Sequence, residues 1–408
     1  MSTLNENQLT AYNIFISGQN IFLTGSGGCG KTYTIDYIKQ WAKLNNKNIG
    51  ITASTGSAAV LIYGTTVHSF LNIGIAKNSA KILAASIKSK RTLYKLRKLD
   101  ILVIDEISMI CDDLLNIISE VLSIIRNSSL PFGGVQIVLS GDFFQLPPVE
   151  GDYCFKSMSW TKANLVICNF TKSVRQQYDL IFQDLLSRAR YGNCTDADIQ
   201  LLKSLKNKEF PHHIKPTKLY ALNRDINTIN TAYLSALLDK VKPSGVRIYK
   251  ASYKNEQSQK YAKMSKIEDN FKLCAGAQVI LTWNLDIERG LVNGARGIVE
   301  EVYDTRVRVK FVSGLVENII FNEFSIPEDN IHISYMPLRL AWAITIHGSQ
   351  GMTLDAIEID IGDSIFLVGQ AYTALSRAKN LDSIRIKDIS KRSLQASEEV
   401  KTFYEINI

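Results

Sequence analysis

Eight residues near the amino terminus constrain this chain more than any other stretch. Gly25-Ser26-Gly27-Gly28-Cys29-Gly30-Lys31-Thr32 follow an apolar run at 20–24 and precede Ile35, Ile38 and Trp41, which recur at helical spacing. A buried strand, a glycine-rich turn and an amphipathic helix in that order are the context a phosphate loop requires. Glycines let backbone N–H groups close around phosphate oxygens, the helix N-terminus favours anions, Lys31 brings positive charge and Thr32 offers a hydroxyl to magnesium. A nucleoside triphosphate is the expected ligand, and the fold is expected to be α/β.

Residues 49–53, 101–104 and 135–140 read as further buried strands alternating with amphipathic stretches, the pattern of a parallel sheet flanked by helices. The run at 101–104 ends in Asp105-Glu106, two carboxylates at the carboxyl edge of the sheet, where such folds bind ligands. Asp105 is suited to hold a hydrated metal and Glu106 to polarise the attacking water, so hydrolysis is expected rather than binding alone. The next strand runs into Gly141-Asp142-Phe143-Phe144-Gln145, where Gln145 is a candidate reporter of the γ-phosphate. Arg175, in Ser173-Val174-Arg175-Gln176-Gln177, and Arg377, in Leu375-Ser376-Arg377-Ala378, are candidates for stabilising charge from outside the loop.

At 408 residues the chain has length for two to three domains, and with 46% hydrophobic and 21% charged residues it is expected to fold. No stretch approaches a membrane span, and the opening MSTLNENQLT lacks the features of a signal peptide, so a soluble intracellular protein is expected. Six cysteines without metal-ligand spacing suggest reduced thiols and a reducing compartment. A formal net charge of +8 favours a polyanionic partner. Between 77 and 98 lie Lys77, Lys81, Lys88, Lys90, Arg91, Lys95, Arg97 and Lys98 with no Asp or Glu; a nucleic-acid contact and a solvated helix face both fit. From 276 to 324 short strands broken at Asn293-Gly294, Asp304-Thr305 and Ser313-Gly314 predict a small barrel or sandwich. Apolar strands and helices return after 334, so this segment reads as an insertion.

Taken in order, GSGGCGKT, GTTVHSF, IDEISMI, PFGGVQIVLSGDFFQLPPV, SVRQQ, GAQVILTWNLD with GLVNGARGIV, LAWAITIHGSQGMTLD and GQAYTALSRAKN resemble the Pif-one (petite integration frequency) family of DNA helicases, in the 5′-to-3′ branch of superfamily one. The resemblance implies two RecA-like domains with a small basic wedge insertion and an SH3-like β-barrel insertion. The expected division is 1–168 for the first domain, with the wedge at about 74–98; 169–242 and 335–408 for the second; and 243–334 for the barrel. The implied activity is ATP-driven translocation on single-stranded DNA and unwinding of duplex, with ATP and Mg2+ as cofactors. Single strands and fork junctions are the implied partners, with no membrane association, and the working form is expected to be a monomer, a dimer on DNA being the alternative.

By position, the resemblance assigns adenine reading to Gln8 and phosphate binding to Gly25, Ser26, Gly27, Gly28, Cys29, Gly30, Lys31 and Thr32. It assigns metal binding to Thr32 and Asp105, water activation to Glu106, coupling to Gln145, arginine fingers to Arg175 and Arg377, and a further nucleotide contact to Gly351. For DNA it points to Thr66, His68, Ser69 and Phe70, to His347, Ser349 and Gln350, and in the wedge to Lys88, Lys90 and Arg91. Hydroxyls and imidazoles suit phosphates; Phe70 and Phe144 fit equally a ring offered to a base and a core side chain, whereas Trp342 reads as core. One position departs from the family: Gly348 stands where lysine is usual, so one phosphate contact is expected to be lost or replaced. A non-unwinding DNA scaffold and a RecD-like translocase are the alternatives.

Overall fold

The computed structural model describes residues 4–408 apart from 75, 173, 177, 211–214, 222–223, 287, 327–329 and 364, and only the backbone of 224 and 225. The chain divides into two compact units, Met1–Gln177 with Ser397–Ile408, and Tyr178–Ala396.

The first unit is built on β1 (Ile21–Gly25), β2 (Ile49–Ala53), β3 (Thr65–Thr66), β4 (Ile101–Asp105), β5 (Gln136–Gly141) and β6 (Val166–Phe170). They form one parallel sheet in the order β3-β2-β4-β5-β1-β6. Every residue of β1 and β4 is buried, which is why both read as unbroken apolar runs rather than alternating ones. The helix Lys31–Leu44 lays Ile35, Ile38 and Ala42 into a core with Phe15, Leu23, Val103 and Val138, so the phosphate-loop helix is anchored by its own apolar stripe. The strands at 20–24, 49–53, 101–104 and 135–140 are therefore found within a residue of their expected bounds. β6 has no counterpart among the expected strands; it carries the sheet beyond 168 and the first unit on to Gln177.

The C-terminal helix Glu398–Asn407 departs further from the expected division, which put 335–408 in the second domain. It packs in the first unit, where it buries Val400, Phe403 and Tyr404. Phe403 lies against Phe155, Phe143 and Trp160, and this aromatic cluster holds the chain end in place.

In the second unit, Ala343–Thr345, Thr217–Tyr220, Ile357–Ile361 and Ile384–Ile389 form a four-stranded parallel sheet in that order. A five-stranded antiparallel sheet orders Val316–Ile320, Arg306–Phe311, Arg296–Val302, Gln278–Leu281 and Leu338–Leu340. Its connections fall at the three expected turns, and the alternation of the 306–311 strand places Val307, Val309 and Phe311 inside with Arg306, Arg308 and Lys310 outside. The last strand lies past the expected limit of 334. Trp342 is core, stacked on Tyr233 at 5.4 Å.

Candidate nucleotide and nucleic-acid site

The strand order places the chemistry. β4, β5, β1 and β6 are consecutive neighbours and parallel, so their carboxyl ends open on one edge of the sheet. That edge presents, in spatial order, Asp105 and Glu106, then Asp142 and Gln145, then the phosphate loop, then the segment carrying Arg175. Residues scattered over 150 positions of sequence become one row.

Within the loop, Lys31 Nζ donates to the carbonyls of Gly25 at 2.8 Å and Ser26 at 3.1 Å, which holds its ammonium over the turn. Gly30, at φ 89°, caps the helix that Lys31 opens, and Thr32 is exposed on its first turn. Gly28 is glycine by necessity: its φ is +85°, and a Cβ there would come within 2.5 Å of Arg175 Cβ. The Gly28 carbonyl in turn accepts from the N–H groups of Val174 at 3.0 Å and Arg175 at 3.3 Å, so the loop itself positions the arginine segment. Gln8 is buried beside Gly30; its Oε1 accepts from the Asn5 N–H at 3.0 Å and its Nε2 donates to the Gly30 carbonyl at 3.3 Å. One Nε2 hydrogen and one Oε1 lone pair remain on that amide, the complementary pair an adenine edge needs.

Asp105 ends β4 nearly buried, and burial pushes its carboxyl above the ordinary carboxylate range while the Glu106 backbone N–H and the Lys31 ammonium pull it back. Glu106 follows with φ 53° and ψ 45°, a left-handed turn that an acidic residue enters at a cost, and that swings the chain out of the strand. Gln145 is 5% exposed, and its Oε1 has no hydrogen-bond partner among the described residues. Sequence reasoning passed over Asp142 as a site residue. It is fully buried, its carboxylate accepts from the Phe144 N–H at 3.2 Å and its carbonyl from the Gln145 N–H at 2.9 Å, so it shapes the loop that carries Gln145. A Gly-Asp pair directly after a buried strand is the only signal that marked it.

The expected DNA-contacting residues divide by exposure. His68 is half-buried and Ser69 exposed on the helix Val67–Leu71, and burial lowers the His68 imidazole. Thr66 and Phe70 have partners within the unit. The buried Thr66 hydroxyl accepts from the Ser69 N–H at 3.3 Å and caps that helix, while the Phe70 ring is 5% exposed, lies over Gly50 and is covered by the Lys95 ammonium at 3.8 Å. Phe144 is likewise core, stacked on Tyr404. Neither ring is open to a base.

The basic interval forms the helices Ala80–Ser86 and Lys90–Arg97, with Lys88, Lys90 and Arg91 exposed. Arg126 braces the second helix, donating from Nη1 to the carbonyls of Leu96, Arg97 and Leu99 at 3.1, 2.8 and 2.8 Å and from Nε to Gly133 at 2.7 Å. The charges therefore sit on a fixed platform.

In the second unit, His347–Ser349 form a single turn in which His347 is half-buried, its imidazole lowered by burial and by Lys266. Ser349 is fully buried and its hydroxyl donates to the Ile346 carbonyl at 2.6 Å. Gln350 is 6% exposed and its Nε2 has no hydrogen-bond partner among the described residues, and Gly351 is exposed with φ 75°. The departure at Gly348 has a local reason. Its N–H donates to Thr345 Oγ1 at 2.7 Å and a Cβ would lie 2.7 Å from the same oxygen, so a side chain there would displace the turn. Its carbonyl accepts from Arg339 Nη2 at 3.3 Å. Arg377 is 2% exposed and is held by the Thr373 carbonyl at 3.0 Å and Ser376 Oγ at 2.7 Å. Among the described residues no helix is long and apolar enough to cross a membrane, and no group of three or more His, Cys, Asp or Glu gathers to hold a metal.

Residues 3–199 match the family model for PIF1-like helicases and residues 267–302 the model for the 2B domain of DNA helicase Pif1. The chain is 38% identical over 416 residues to the ATP-dependent DNA helicase PIF1 of Danio rerio, covering 98% of this chain and 63% of that protein. It thus spans less than two thirds of that relative's length. It is 33% identical over 413 residues to the ATP-dependent DNA helicase Pif1 of Bdellovibrio bacteriovorus, covering 98% of this chain and 91% of that one. It also resembles the crystal structure of a Bacteroides Pif1 helicase in complex with ADP-AlF3 and ssDNA, with a TM-score of 0.68, 28% identity, and coverage of 100% of this chain and 97% of the other.

Proposed function

This chain belongs to the PIF1-like helicase family, and on that premise we propose that it is an ATP-dependent DNA helicase that moves 5′-to-3′ along single-stranded DNA and separates the duplex ahead of it. The observation that carries the proposal is the row along the edge of the first sheet: acids, glutamine, phosphate loop and arginine on four neighbouring strands. A nucleotide-binding scaffold needs only the loop, whereas Glu106, Gln145 and Arg175 serve a reaction at the terminal phosphate. The two relatives are named as ATP-dependent DNA helicases, and the direction fits the family.

Thr32 and Asp105 are the residues that would hold Mg2+. A hydroxyl and a carboxylate are hard oxygen donors, and a carboxyl that burial disfavours in its charged form is one that a dication would relieve. Bound there, the ion would neutralise charge on the phosphates. Lys31 draws the phosphates into the turn, Glu106 orients the attacking water, and Gln145 ties the terminal phosphate to the rest of the unit. In the second unit we read the antiparallel sheet around 267–302 as the SH3-like insertion.

The direct test is strand displacement on duplexes with one single-stranded tail. With ATP, the 5′-tailed substrate should be separated and the 3′-tailed one left intact. Displacement from the 3′ tail, or ATP hydrolysis without any DNA stimulation, would overturn the reading.

We further propose that the basic helices form a wedge at the fork, since Lys90 and Arg91 are exposed on a helix that Arg126 fixes and Lys88 is exposed just before it. Replacing these three together with Ser should slow unwinding of a 5′-tailed duplex about tenfold, change single-strand-stimulated hydrolysis less than twofold, and flatten the salt dependence of fork binding, because fewer counterions would be released. His347→Ala should depress unwinding and hydrolysis together. Equal losses in both activities for the triple variant would remove the wedge assignment.

A further inference from the structure

The chain comes back to its first unit only after completing the second, and the helix Glu398–Asn407 that brings it back carries Tyr404 onto Thr24 and Phe143. Tyr404, on its inner face, is 3% exposed. Its hydroxyl lies 2.6 Å from Thr24 Oγ1 and accepts from the Phe143 N–H at 3.2 Å. Its ring stacks on Phe144 at 4.9 Å between centroids and 12° between planes.

Each partner has a place in the row of site residues. Thr24 is the residue before Gly25, where the phosphate loop begins, and Phe143 and Phe144 immediately precede Gln145. Thr24 pairs with Gly141 across β1 and β5, so the two loops diverge from adjacent points of the sheet, and one phenol oxygen links Thr24, at that last pair, to Phe143, two residues past it. Packing in this aromatic cluster asks only for a ring, which phenylalanine supplies. The hydroxyl is surplus to packing and engages the end of β1, from which the phosphate loop starts, and the loop that carries Gln145. Thr24 and Phe143 are buried, so the groups that the hydroxyl satisfies have no bulk water to turn to when it is removed.

We infer that Tyr404 is a positioning residue for ATP hydrolysis: from the C-terminal helix it fixes the spacing between the phosphate loop and the loop carrying Gln145. The inference rests on the ATPase reading above. The role of Tyr404 runs through Thr24 and Phe143, the groups that its hydroxyl engages. Because the loops would still exist without the tie, binding of ATP should survive and the alignment needed for turnover should not.

The experiment is steady-state ATP hydrolysis by the full chain, with and without single-stranded DNA, for Tyr404→Phe, Thr24→Val and the double variant, alongside thermal unfolding. Thr24→Ser, which keeps a hydroxyl, is the rescue control. Tyr404→Phe should lower kcat about tenfold, the scale on which small misplacements act, with KM for ATP within about twofold of wild type. Thr24→Val should lose kcat in the same direction, Thr24→Ser should stay near wild type, and the double variant should be no worse than Tyr404→Phe, since one tie cannot be cut twice. Should Tyr404→Phe fail to fold, the contrast between Thr24→Val and Thr24→Ser carries the test. Wild-type kcat in Tyr404→Phe or in Thr24→Val, with only a lowered unfolding temperature, would overturn the positioning role and leave the helicase reading untouched. A wild-type chain that hydrolyses ATP without DNA stimulation would overturn the helicase reading alone, and the same variants would then be read on basal turnover.

Discussion

Glu106→Gln is expected to bind ATP with near-native affinity and to turn it over about a thousandfold more slowly, the scale on which a positioned general base acts. The substitution keeps the size and the hydrogen-bonding reach of the side chain and removes only its capacity to take a proton from water. Its backbone reason for being where it is should survive too: the left-handed turn at φ 53° is set by the start of the short turn Ile107–Met109, with the Met109 N–H on the Glu106 carbonyl at 3.3 Å. Lys31→Ala should fail differently. Its ammonium lies over the phosphate loop, held by two loop carbonyls, so its loss should weaken ATP binding as well as turnover. Fluorescent-nucleotide titration and single-turnover hydrolysis on the same preparations separate the two outcomes. DNA-stimulated turnover at the wild-type rate in Glu106→Gln would mean that another group activates the water.

Much of this site was legible before any coordinates because its residues sit at strand ends, and strand ends are marked by where apolar runs stop. The run at 101–104 stops at Asp105 and the run at 135–140 at Gly141, so the order of the motifs already implied a common edge. What a linear reading lacks is burial. Phe70 and Ser349 lie in motifs that mix buried and exposed residues, and nothing in residue type distinguishes a ring offered to a base from one laid over Gly50, or a hydroxyl offered to phosphate from one spent on the Ile346 carbonyl. The C-terminal helix was hidden for another reason. Val400, Phe403 and Tyr404 at helical spacing announce an apolar face, but the face does not say which core it completes; contacts far apart in sequence decide that, and here they lie in the aromatic cluster around Phe143. Gly348 shows the reverse case, in which a departure from the family pattern becomes intelligible only once Thr345 is seen to occupy the space of a side chain.

Arg175→Ala is expected to lower DNA-stimulated hydrolysis by about a thousandfold or more while ATP affinity stays within a few-fold of wild type, the signature of a side chain that meets charge developing in the transition state. The geometry gives the reason. Arg175 does not belong to the phosphate loop, yet its N–H and that of Val174 both bind the Gly28 carbonyl, and its Cβ stands where a side chain on Gly28 would be. The arginine is thus placed by the loop that holds the phosphates, and any shift of one moves the other. Arg175→Lys separates charge from shape: lysine restores a positive charge but not the planar fork that spans two phosphate oxygens, so it should recover only a small part of the loss. The resemblance gives Arg377 the same role, and Arg377→Ala is expected to show the same split between turnover and affinity. Its helix turn is tightly packed, so unfolding temperature must be followed alongside. If Arg175→Ala instead weakens ATP binding in proportion to turnover, the side chain serves the ground state, and the charge stabilisation at the terminal phosphate must come from elsewhere in the chain.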